Sequence, residues 1–226
     1  MGTMDAAFLA AMEQVLAVYA LPYDPAYPVV CFDERPCFLI GDERSPLPMQ
    51  PGQVKKEHYA YTKHGSCALL AAIEPQTGRR IGMVTPQRTM AEYTQFCQAL
   101  AAHYPDAVKI RVVQDNLNTH HPRAFYAHLP ADEAFALAQR FEFIYTPKGA
   151  SWLNMIECEF AVIARQCLNR RIPTMDDVRM QILTLLDERQ AQQIMIHWQF
   201  SLTKARATLN RHYRNVHAAN EKYQET

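Results

Sequence analysis

Residues 29–34 read Val29-Val30-Cys31-Phe32-Asp33-Glu34, four apolar side chains followed by two acidic ones. A continuous apolar run of this kind is typical of a central strand that is buried on both faces of a sheet. Prolines punctuate the linker before it, so we predict a strand that begins near Val29 and ends at Asp33-Glu34. Because α/β sheets build their sites at strand ends, Asp33 is the first candidate functional residue.

A second segment has the same form, since Val108 to Gln114 reads as a strand and ends at Asp115-Asn116. If the two strands are parallel neighbours, Asp33 and Asp115 lie at the same edge of the sheet. Two adjacent carboxylates repel, which raises one pKa unless a cation neutralises them. With a third carboxylate, such a pair suits the hard cations Mg2+ and Mn2+. An acidic residue at a strand end is also common as a helix cap or turn former, and that alternative stays open.

The other segments predict a mixed α/β fold. Strand-like runs cover 58–63, 67–73, 80–85 and 141–145, and helical patterns cover 8–21, 90–103, 122–139, 151–169, a segment from Thr174, and 202–213. Consecutive strands form an antiparallel meander, whereas strand–helix–strand units are parallel and right-handed. The order is three consecutive strands, a helix, a strand, helices and a last strand, and it predicts a mixed five-stranded sheet flanked by helices.

The helix predicted from Ser151 to about Asn169 carries the candidates for the third carboxylate. Helical spacing predicts a core stripe formed by Trp152, Ile156, Phe160, Ile163 and Cys167. Glu157 lies on one flank of this stripe and Glu159 on the other, so helix geometry leaves both open.

Composition places the chain among globular proteins. Its 226 residues are 49% hydrophobic and 20% charged, with 23 basic and 23 acidic side chains. This balance excludes global disorder and argues against a small, uniformly basic nucleic-acid binder. Residues 165–214, however, hold nine Lys/Arg against four Asp/Glu, so this region is basic on a slightly acidic body. A solvated helical surface and a phosphate-facing surface both fit that pattern.

The six cysteines form no CxxC or other zinc-type pair, and several lie among apolar residues as buried free thiols do. No stretch reads as a secretory signal, and no apolar run is long enough to span a bilayer. We therefore expect a cytoplasmic protein with no membrane partner.

Three motifs together resemble the DDE superfamily transposases of bacterial insertion sequences, in the branch related to Tc/mariner elements. They are Cys31-Phe32-Asp33-Glu34, Asp-Asn-Leu-Asn-Thr-His at 115–120, and Ser-Trp-Leu-Asn-Met-Ile-Glu at 151–157. Asp115 follows Asp33 by 82 positions and Glu157 follows Asp115 by 42, in keeping with that family. The resemblance implies an RNase H-like catalytic domain over 28–214, an N-terminal helix and linker over 1–27, and a C-terminal tail over 215–226.

The resemblance also implies the chemistry. The family's catalytic metal ligands correspond to Asp33, Asp115 and Glu157, which selects Glu157 over Glu159. Two Mg2+ ions, or Mn2+ in their place, would activate water or a DNA 3′-hydroxyl and stabilise the leaving oxygen. Family members excise an element at its inverted-repeat ends and insert it at TA dinucleotides, so double-stranded DNA is the implied partner.

Two departures from the family pattern bear on activity. The loop that commonly reads Pro-Lys-His-Gly-Ser-Trp is Pro147-Lys148-Gly149-Ala150-Ser151-Trp152 here and lacks the histidine. Full-length relatives carry helix-turn-helix modules before the catalytic domain, and Asp33 comes too early for them. We expect either a catalytic domain whose recognition module is supplied elsewhere, or an inactive copy that acts as a DNA-binding or dimerising regulator. A general RNase H-like nuclease without transposition is a third alternative.

Side chains near the predicted ligands leave further alternatives open. Asn116 and His120 match the family motif and would either orient water or phosphate, or stabilise the strand end and the next helix. Glu34 points away from Asp33 if the strand continues, which favours a structural salt bridge. The basic side chains that border the site are candidates for phosphate contacts: Lys148, Arg165, Arg170 and Arg171. Segment 46–56 reads as a surface loop, and the resemblance suggests a homodimer contact through it.

Overall fold

The computed structural model describes residues 4–43 and 59–223, whose strands form one sheet. The strands are β1 (Val29–Asp42), β2 (Tyr61–Ile73), β3 (Arg80–Thr85), β4 (Ile110–Gln114) and β5 (Phe141–Tyr145). Their order across the sheet is β3-β2-β1-β4-β5. Pairs β1–β2 and β2–β3 are antiparallel, whereas pairs β1–β4 and β4–β5 are parallel. The predicted mixed five-stranded sheet is confirmed.

Helices cover both faces of this sheet. In the described part of the chain they are α1 (Ala6–Tyr19), α2 (Met90–His103), α3 (Arg123–His128), α4 (Ala131–Gln139), α5 (Ile156–Gln166), α6 (Met175–Ala191), α7 (Leu202–Thr208) and α8 (Asn210–Val216). Short 3₁₀ turns lie at Ser151–Leu153 and Ala218–Tyr223. Helices α1, α5 and α6 share one hydrophobic core with the sheet, and α2, α3 and α4 share the other.

The alternation of side chains along β1 explains why the sheet has two cores. Val29 and Cys31 lie in the core that contains α1 and α5, whereas Val30 and Phe32 lie in the core that contains α2. All four side chains are buried. The continuous apolar run therefore predicted a doubly buried central strand correctly.

Two predictions about strand boundaries were wrong. Strand β1 does not end at Asp33-Glu34 but continues to Asp42, so Asp33 lies inside a strand. Residues 61–73 form the single strand β2 rather than two separate runs. The two runs were separated in the sequence pattern around Gly65. At this point the strand has a β-bulge in its pairing with β1, and Gly65 has φ +111°, so the strand continues through the break.

The helix predicted from Ser151 is shorter than expected. Residues 151–153 form a 3₁₀ turn, Asn154 is extended with φ −87° and ψ 114°, and α5 begins only at Ile156. Trp152 is therefore not a core residue and is 43% exposed. The other four members of the predicted stripe are buried.

The described ends of the chain pack against the rest of the fold. Helix α1 contributes Met12, Val15 and Leu16 to the core that contains β1, and this predicted helix is confirmed. The helix predicted over 202–213 is instead two helices, α7 and α8, which are separated at Leu209. The domain limits proposed at residues 27 and 214 stay predictions.

The remaining predictions concern a loop, the membrane and the cysteines. The proposed dimer loop, 46–56, lies outside the described residues. Among the helices of the described part, none is long and apolar enough to cross a bilayer. All six cysteines are free thiols, and each is buried except Cys158.

Candidate active site

Asp33 occupies the face of β1 whose core contains α5. Its Oδ1 accepts a hydrogen bond of 2.7 Å from the backbone N–H of Glu34. The pKa of Asp33 is raised to about 6, first by burial and then by the negative charges of Asp115 and Glu157. The structure therefore brings Asp115 and Glu157 within electrostatic reach of Asp33.

Asp115 directly follows β4, which is the parallel neighbour of β1. The pairing of Cys31 with Val113 places Asp33 and Asp115 two positions further along each strand, at one edge of the sheet. The Oδ1 of Asp115 accepts a hydrogen bond of 3.3 Å from the N–H of Leu117. The predicted juxtaposition of the two aspartates thus follows from the sheet register.

His120 joins Asp115 to Glu34 across the edge of the sheet. Its Nδ1 lies 2.5 Å from Oδ1 of Asp115, and its Nε2 lies 3.1 Å from Oε1 of Glu34. The His120 side chain is fully buried, and its ring contacts those of Phe32 and Tyr93, with centroids 5.2 and 5.0 Å away. Because carboxylates only accept, both ring nitrogens donate and the imidazole is charged.

The electrostatics of His120 agree with this geometry. Burial lowers the pKa of His120, but its hydrogen bonds to Asp115 and Glu34 raise it more, to about 9. The salt bridge expected for Glu34 is present, with His120 as its partner. The sequence motif pointed to His120 but not to Glu34 as its partner, because the two residues lie 86 positions apart.

Two further side chains hold the segment that carries His120. The Nε2 of Gln114 donates to the backbone carbonyl of His120 at 2.8 Å, and the hydroxyl of Tyr93 donates to Oε1 of Gln114 at 3.0 Å. Gln114 and Tyr93 are buried. These contacts fix the turn that follows Asp115, and periodicity gave no indication of them.

Glu157 lies in the first turn of α5 and is half-buried. The segment before it is tied to the sheet, since Nδ2 of Asn154 donates to the backbone carbonyl of Phe32 at 2.7 Å. The hydroxyl of Tyr19 donates to the carbonyl of Leu153 at 2.8 Å. Both contacts place the start of α5 beside the part of β1 that carries Asp33.

Glu159, the other candidate on this helix, has different partners. Its carboxylate accepts hydrogen bonds from Arg80 at 2.9 and 3.0 Å and from Arg189 at 2.8 and 3.0 Å. Burial raises the pKa of Glu159, but the two guanidinium groups lower it more, so the net shift is downward. Glu159 therefore belongs to a buried ion cluster that joins α5 to β3 and α6.

The donor chemistry of the three carboxylates fits a hard divalent cation. Asp33 has neither an Arg nor a Lys partner among the described residues, and its pKa is raised by Asp115 and Glu157, so a cation would relieve a real repulsion. Residues 4–43 and 59–223 contain no group of three or more His, Cys, Asp or Glu side chains that could hold a metal as they stand. The three carboxylates are therefore farther apart than the ligands of a formed metal site. The carboxylates would have to close around the ion.

The four basic side chains expected near phosphate differ in their surroundings. Arg171 is paired with Asp42 at 2.7 Å, and Arg170 donates to Oε1 of Gln181 at 2.5 Å. Lys148 and Arg165 are exposed and form no ion pair with other described residues. Lys148 lies on the loop between β5 and α5.

A mixed sheet in this order, with aspartates on its two adjoining central strands, defines the RNase H-like class. The family described as DDE superfamily endonuclease matches residues 28–179, more than half of the chain. The chain therefore belongs to this family, as the three motifs predicted. The matched range includes Asp33, Asp115 and Glu157.

Solved structures give the same fold. The Mos1 transposase paired-end complex with left transposon end matches with a TM-score of 0.55 and 18% identity, over 98% of this chain and 64% of that chain. The Mos1 strand transfer complex has a TM-score of 0.55, 17% identity and coverages of 96% and 62%. The Mos1 mariner paired-end complex with Mn has a TM-score of 0.53 and 16% identity, over 84% of this chain and 62% of that chain.

At these identities the likeness shows the fold, and the predicted RNase H-like fold is confirmed. The chain spans less than two thirds of the length of the Mos1 chains that it matches. No curated protein matches the chain.

Proposed function

We propose that this protein is a divalent-metal-dependent DNA endonuclease and strand transferase, the catalytic domain of an insertion-sequence transposase. The observation that carries the proposal is the electrostatic coupling of Asp33 to Asp115 and Glu157, whose negative charges add to the effect of burial in raising the Asp33 pKa to about 6. Neighbouring carboxylates that repel one another, in a chain of an endonuclease family, are suited to a catalytic site that binds divalent cations.

In this proposal each of the three carboxylates holds metal. When bound, Mg2+ or Mn2+ would supply Lewis-acid chemistry at the attacking and the leaving oxygen of a phosphodiester. Asp115 uses Oδ1 to accept from His120, which leaves Oδ2 for the cation. His120, which is itself hydrogen-bonded to Glu34, orients Asp115 for the cation. Asn154 holds the start of α5 against β1, so that Glu157 faces Asp33.

DNA is the proposed substrate, with transposon ends and a TA target. Support comes from the family and from the matched Mos1 structures, one of which is described as a paired-end complex with left transposon end. Lys204, Arg211 and Arg214 are exposed in the basic C-terminal region and add phosphate-facing charge. Since the whole chain is neutral, we expect its DNA binding to be weak, metal-assisted and strongly salt-dependent.

The direct test is cleavage of a duplex that ends in the element's inverted repeat, with Mn2+ or Mg2+ supplied. We expect nicking by the wild-type chain and none by Asp115→Asn, whereas Asp106→Asn, on an exposed loop, is the matched control. Equal cleavage by the wild type and Asp115→Asn would exclude the proposal. An RNA–DNA hybrid of the same sequence separates a general RNase H-like nuclease, which would cut the hybrid in preference.

A second candidate is a non-catalytic DNA-binding or dimerising regulator. Two observations favour it: the carboxylates of the described residues are not gathered into a metal-holding group, and Gly149 stands where the family commonly has histidine. Calorimetric titration with Mn2+ discriminates the two candidates. An intact site gives saturable heat that Asp33→Asn abolishes, whereas a decayed site gives none.

A further inference from the structure

The loop between β5 and α5, residues 146–155, is fastened to both aspartate strands. At one end the N–H of Thr146 donates to the carbonyl of Gln114, the residue before Asp115, at 2.8 Å. At the other end Nδ2 of Asn154 donates to the carbonyl of Phe32, the residue before Asp33, at 2.7 Å. Both ends of the loop are therefore attached to the residues that directly precede Asp115 and Asp33.

The loop separates sharply into an anchored part and an open part. Ala150, Leu153 and Asn154 are essentially without solvent exposure, so the loop is packed from below. Gly149 has φ +77°, and a Cβ built there would meet nothing within 4 Å. The open part, which we call the crest, consists of Lys148, Gly149, Ser151 and Trp152, all of them exposed.

Trp152 is the unusual member of the crest. It is the only aromatic residue of the crest, and it is 43% exposed. It is nevertheless held in place, because its ring meets that of Phe200 edge to face, with centroids 5.4 Å apart and planes at 77°. An exposed aromatic ring that is held in place, on the loop that joins the two aspartate strands to the helix of Glu157, has the properties of a stacking platform.

The crest also carries a free positive charge. Lys148 is exposed and forms no ion pair with the rest of the described chain. A cation beside a flat apolar ring is complementary to one ligand in particular, a nucleotide, which has a phosphate and an aromatic base. A protein partner would be favoured by a broader apolar surface than one ring.

We propose that Trp152 stacks on an unpaired nucleobase of the DNA strand at the active site, while Lys148 contacts a neighbouring phosphate. The inference rests on the proposed function and gives it a subsite. Bases within a duplex are stacked on both sides, so the platform selects a base at a strand end or in a locally opened step. Stacking tolerates any base, and the subsite therefore recognises strand structure rather than sequence.

Tryptophan fluorescence provides a direct readout, because the chain has two tryptophans. Trp198 is half-buried and packed within the fold. Its Nε1 donates to the carbonyl of Phe200 at 2.7 Å, and its ring contacts that of Tyr19. A Trp198→Phe variant reports on Trp152 alone. In EDTA, which prevents cleavage, we expect a duplex with a three-nucleotide 3′ overhang to quench this emission and the blunt duplex to leave it nearly unchanged.

Affinities of ring variants complete the test. Base–aromatic stacking is worth about 1–3 kcal/mol per base, so Trp152→Leu should weaken binding of the overhang duplex roughly 5- to 150-fold and that of the blunt duplex less than about twofold. Trp152→Phe keeps an aromatic face and should retain most of the preference. Leucine keeps apolar contact with Phe200, and matching melting temperatures would show that both variants are folded.

Three outcomes would overturn the stacking proposal: equal quenching by both duplexes, unchanged overhang affinity in Trp152→Leu, or emission that depends on protein concentration without DNA, which indicates a protein contact. A different result, the absence of metal-dependent cleavage, would contradict the proposed function. Asp115→Asn should bind the overhang duplex with wild-type preference while it cuts neither duplex, so the two failures are distinguishable.

Discussion

Asn154 donates a 2.7 Å hydrogen bond from its Nδ2 to the backbone carbonyl of Phe32, and both residues are buried. Phe32 directly precedes Asp33, and Asn154 lies three positions before Glu157. One side chain therefore connects the two segments that carry carboxylates on this face. Helix α5 starts beside Asp33 because the chain is pinned there before the helix begins.

Replacing Asn154 by alanine should disturb both stability and the site. The change leaves the buried carbonyl of Phe32 without its donor, which should lower the free energy of unfolding by about 1–3 kcal/mol. DNA cleavage should fall as well, because Glu157 is no longer held against Asp33. Asn220→Ala is the matched control, since its Nδ2 makes the same kind of bond to the carbonyl of Tyr213 away from the site. Equal loss of cleavage in both variants would contradict the positioning role.

Asp33→Asn should stabilise the metal-free protein at neutral pH. The pKa of Asp33 is raised from 3.8 to about 6, so its stabilising contribution is full below pH 3.8, where it is protonated, and is lost as the pH rises through about 6. At pH 7.5 the asparagine variant should be more stable by on the order of 1–3 kcal/mol, and the difference should vanish near pH 4. Urea unfolding in EDTA at the two pH values measures it.

The same pair of proteins tests metal binding without any DNA. Mn2+ at about 100 times its dissociation constant should stabilise the wild type by about 2.7 kcal/mol, because it binds the folded state. Asp33→Asn should gain much less. If both proteins gain equally, the cation binds elsewhere.

Much of the fold could be predicted from the sequence, because local patterns and their order determine it. The apolar run from Val29 to Phe32 identified the central strand, and helical spacing identified α2, which Thr89 caps by accepting from a backbone N–H. The prediction ended β1 at Asp33-Glu34 because the apolar run stops there. The strand continues because β2 pairs with it as far as Asp42, and Pro36 is tolerated because β4 pairs only as far as Cys31 and leaves that edge open.

The site was predictable only where the resemblance supplied it. Spacing left Glu157 and Glu159 equivalent, and what separates them is the placement of Arg80 and Arg189, far away in the chain. Trp152 was assigned to the core because helical spacing was extended through Asn154, which is not helical. These errors share one cause, since tertiary contacts between distant segments have no signal in a periodic pattern.

Glu159→Gln should destabilise the protein strongly and act on cleavage only through the fold. The change leaves two guanidinium groups facing a neutral amide in a buried cluster, which typically costs about 3–5 kcal/mol. Because its pKa is lowered from 4.5, Glu159 contributes stability above that value and loses it as the pH falls through the lowered pKa. The difference from wild type should therefore narrow in acid, which urea unfolding at pH 7 and pH 4 would detect.

Compared with Glu159→Gln, Glu157→Gln should have little effect on stability and a large effect on cleavage. Glu157 is half-buried and has no ion pair among the described residues, so unfolding free energy should change by less than about 1 kcal/mol. Cleavage should fall by at least about 100-fold, since loss of even an indirect metal-site partner commonly reduces activity 10- to 100-fold. A comparable effect of Glu157→Gln and Glu159→Gln on cleavage at equal folded fraction would remove the distinction between them.

His120→Gln tests whether the buried imidazolium holds Asp115 for the cation. Its hydrogen bonds raise the pKa of His120 to about 9, so they stabilise the fold fully below pH 6.5, and that stability is lost as the pH rises through about 9. The variant should be less stable by on the order of 3 kcal/mol at pH 6, and the gap should close toward pH 10.

A loss of stability alone would not establish a role in the site, so the readout is Mn2+ affinity at a temperature where every variant is folded. His120→Gln should weaken it roughly 10- to 100-fold, whereas Glu34→Gln, whose amide oxygen still accepts from Nε2, should weaken it less. Glu13→Gln is the control, because it breaks an ion pair with Arg206 that is remote from Asp115. If Glu13→Gln reduces Mn2+ affinity as much as His120→Gln does, the effect reports general destabilisation, and His120 serves only the fold.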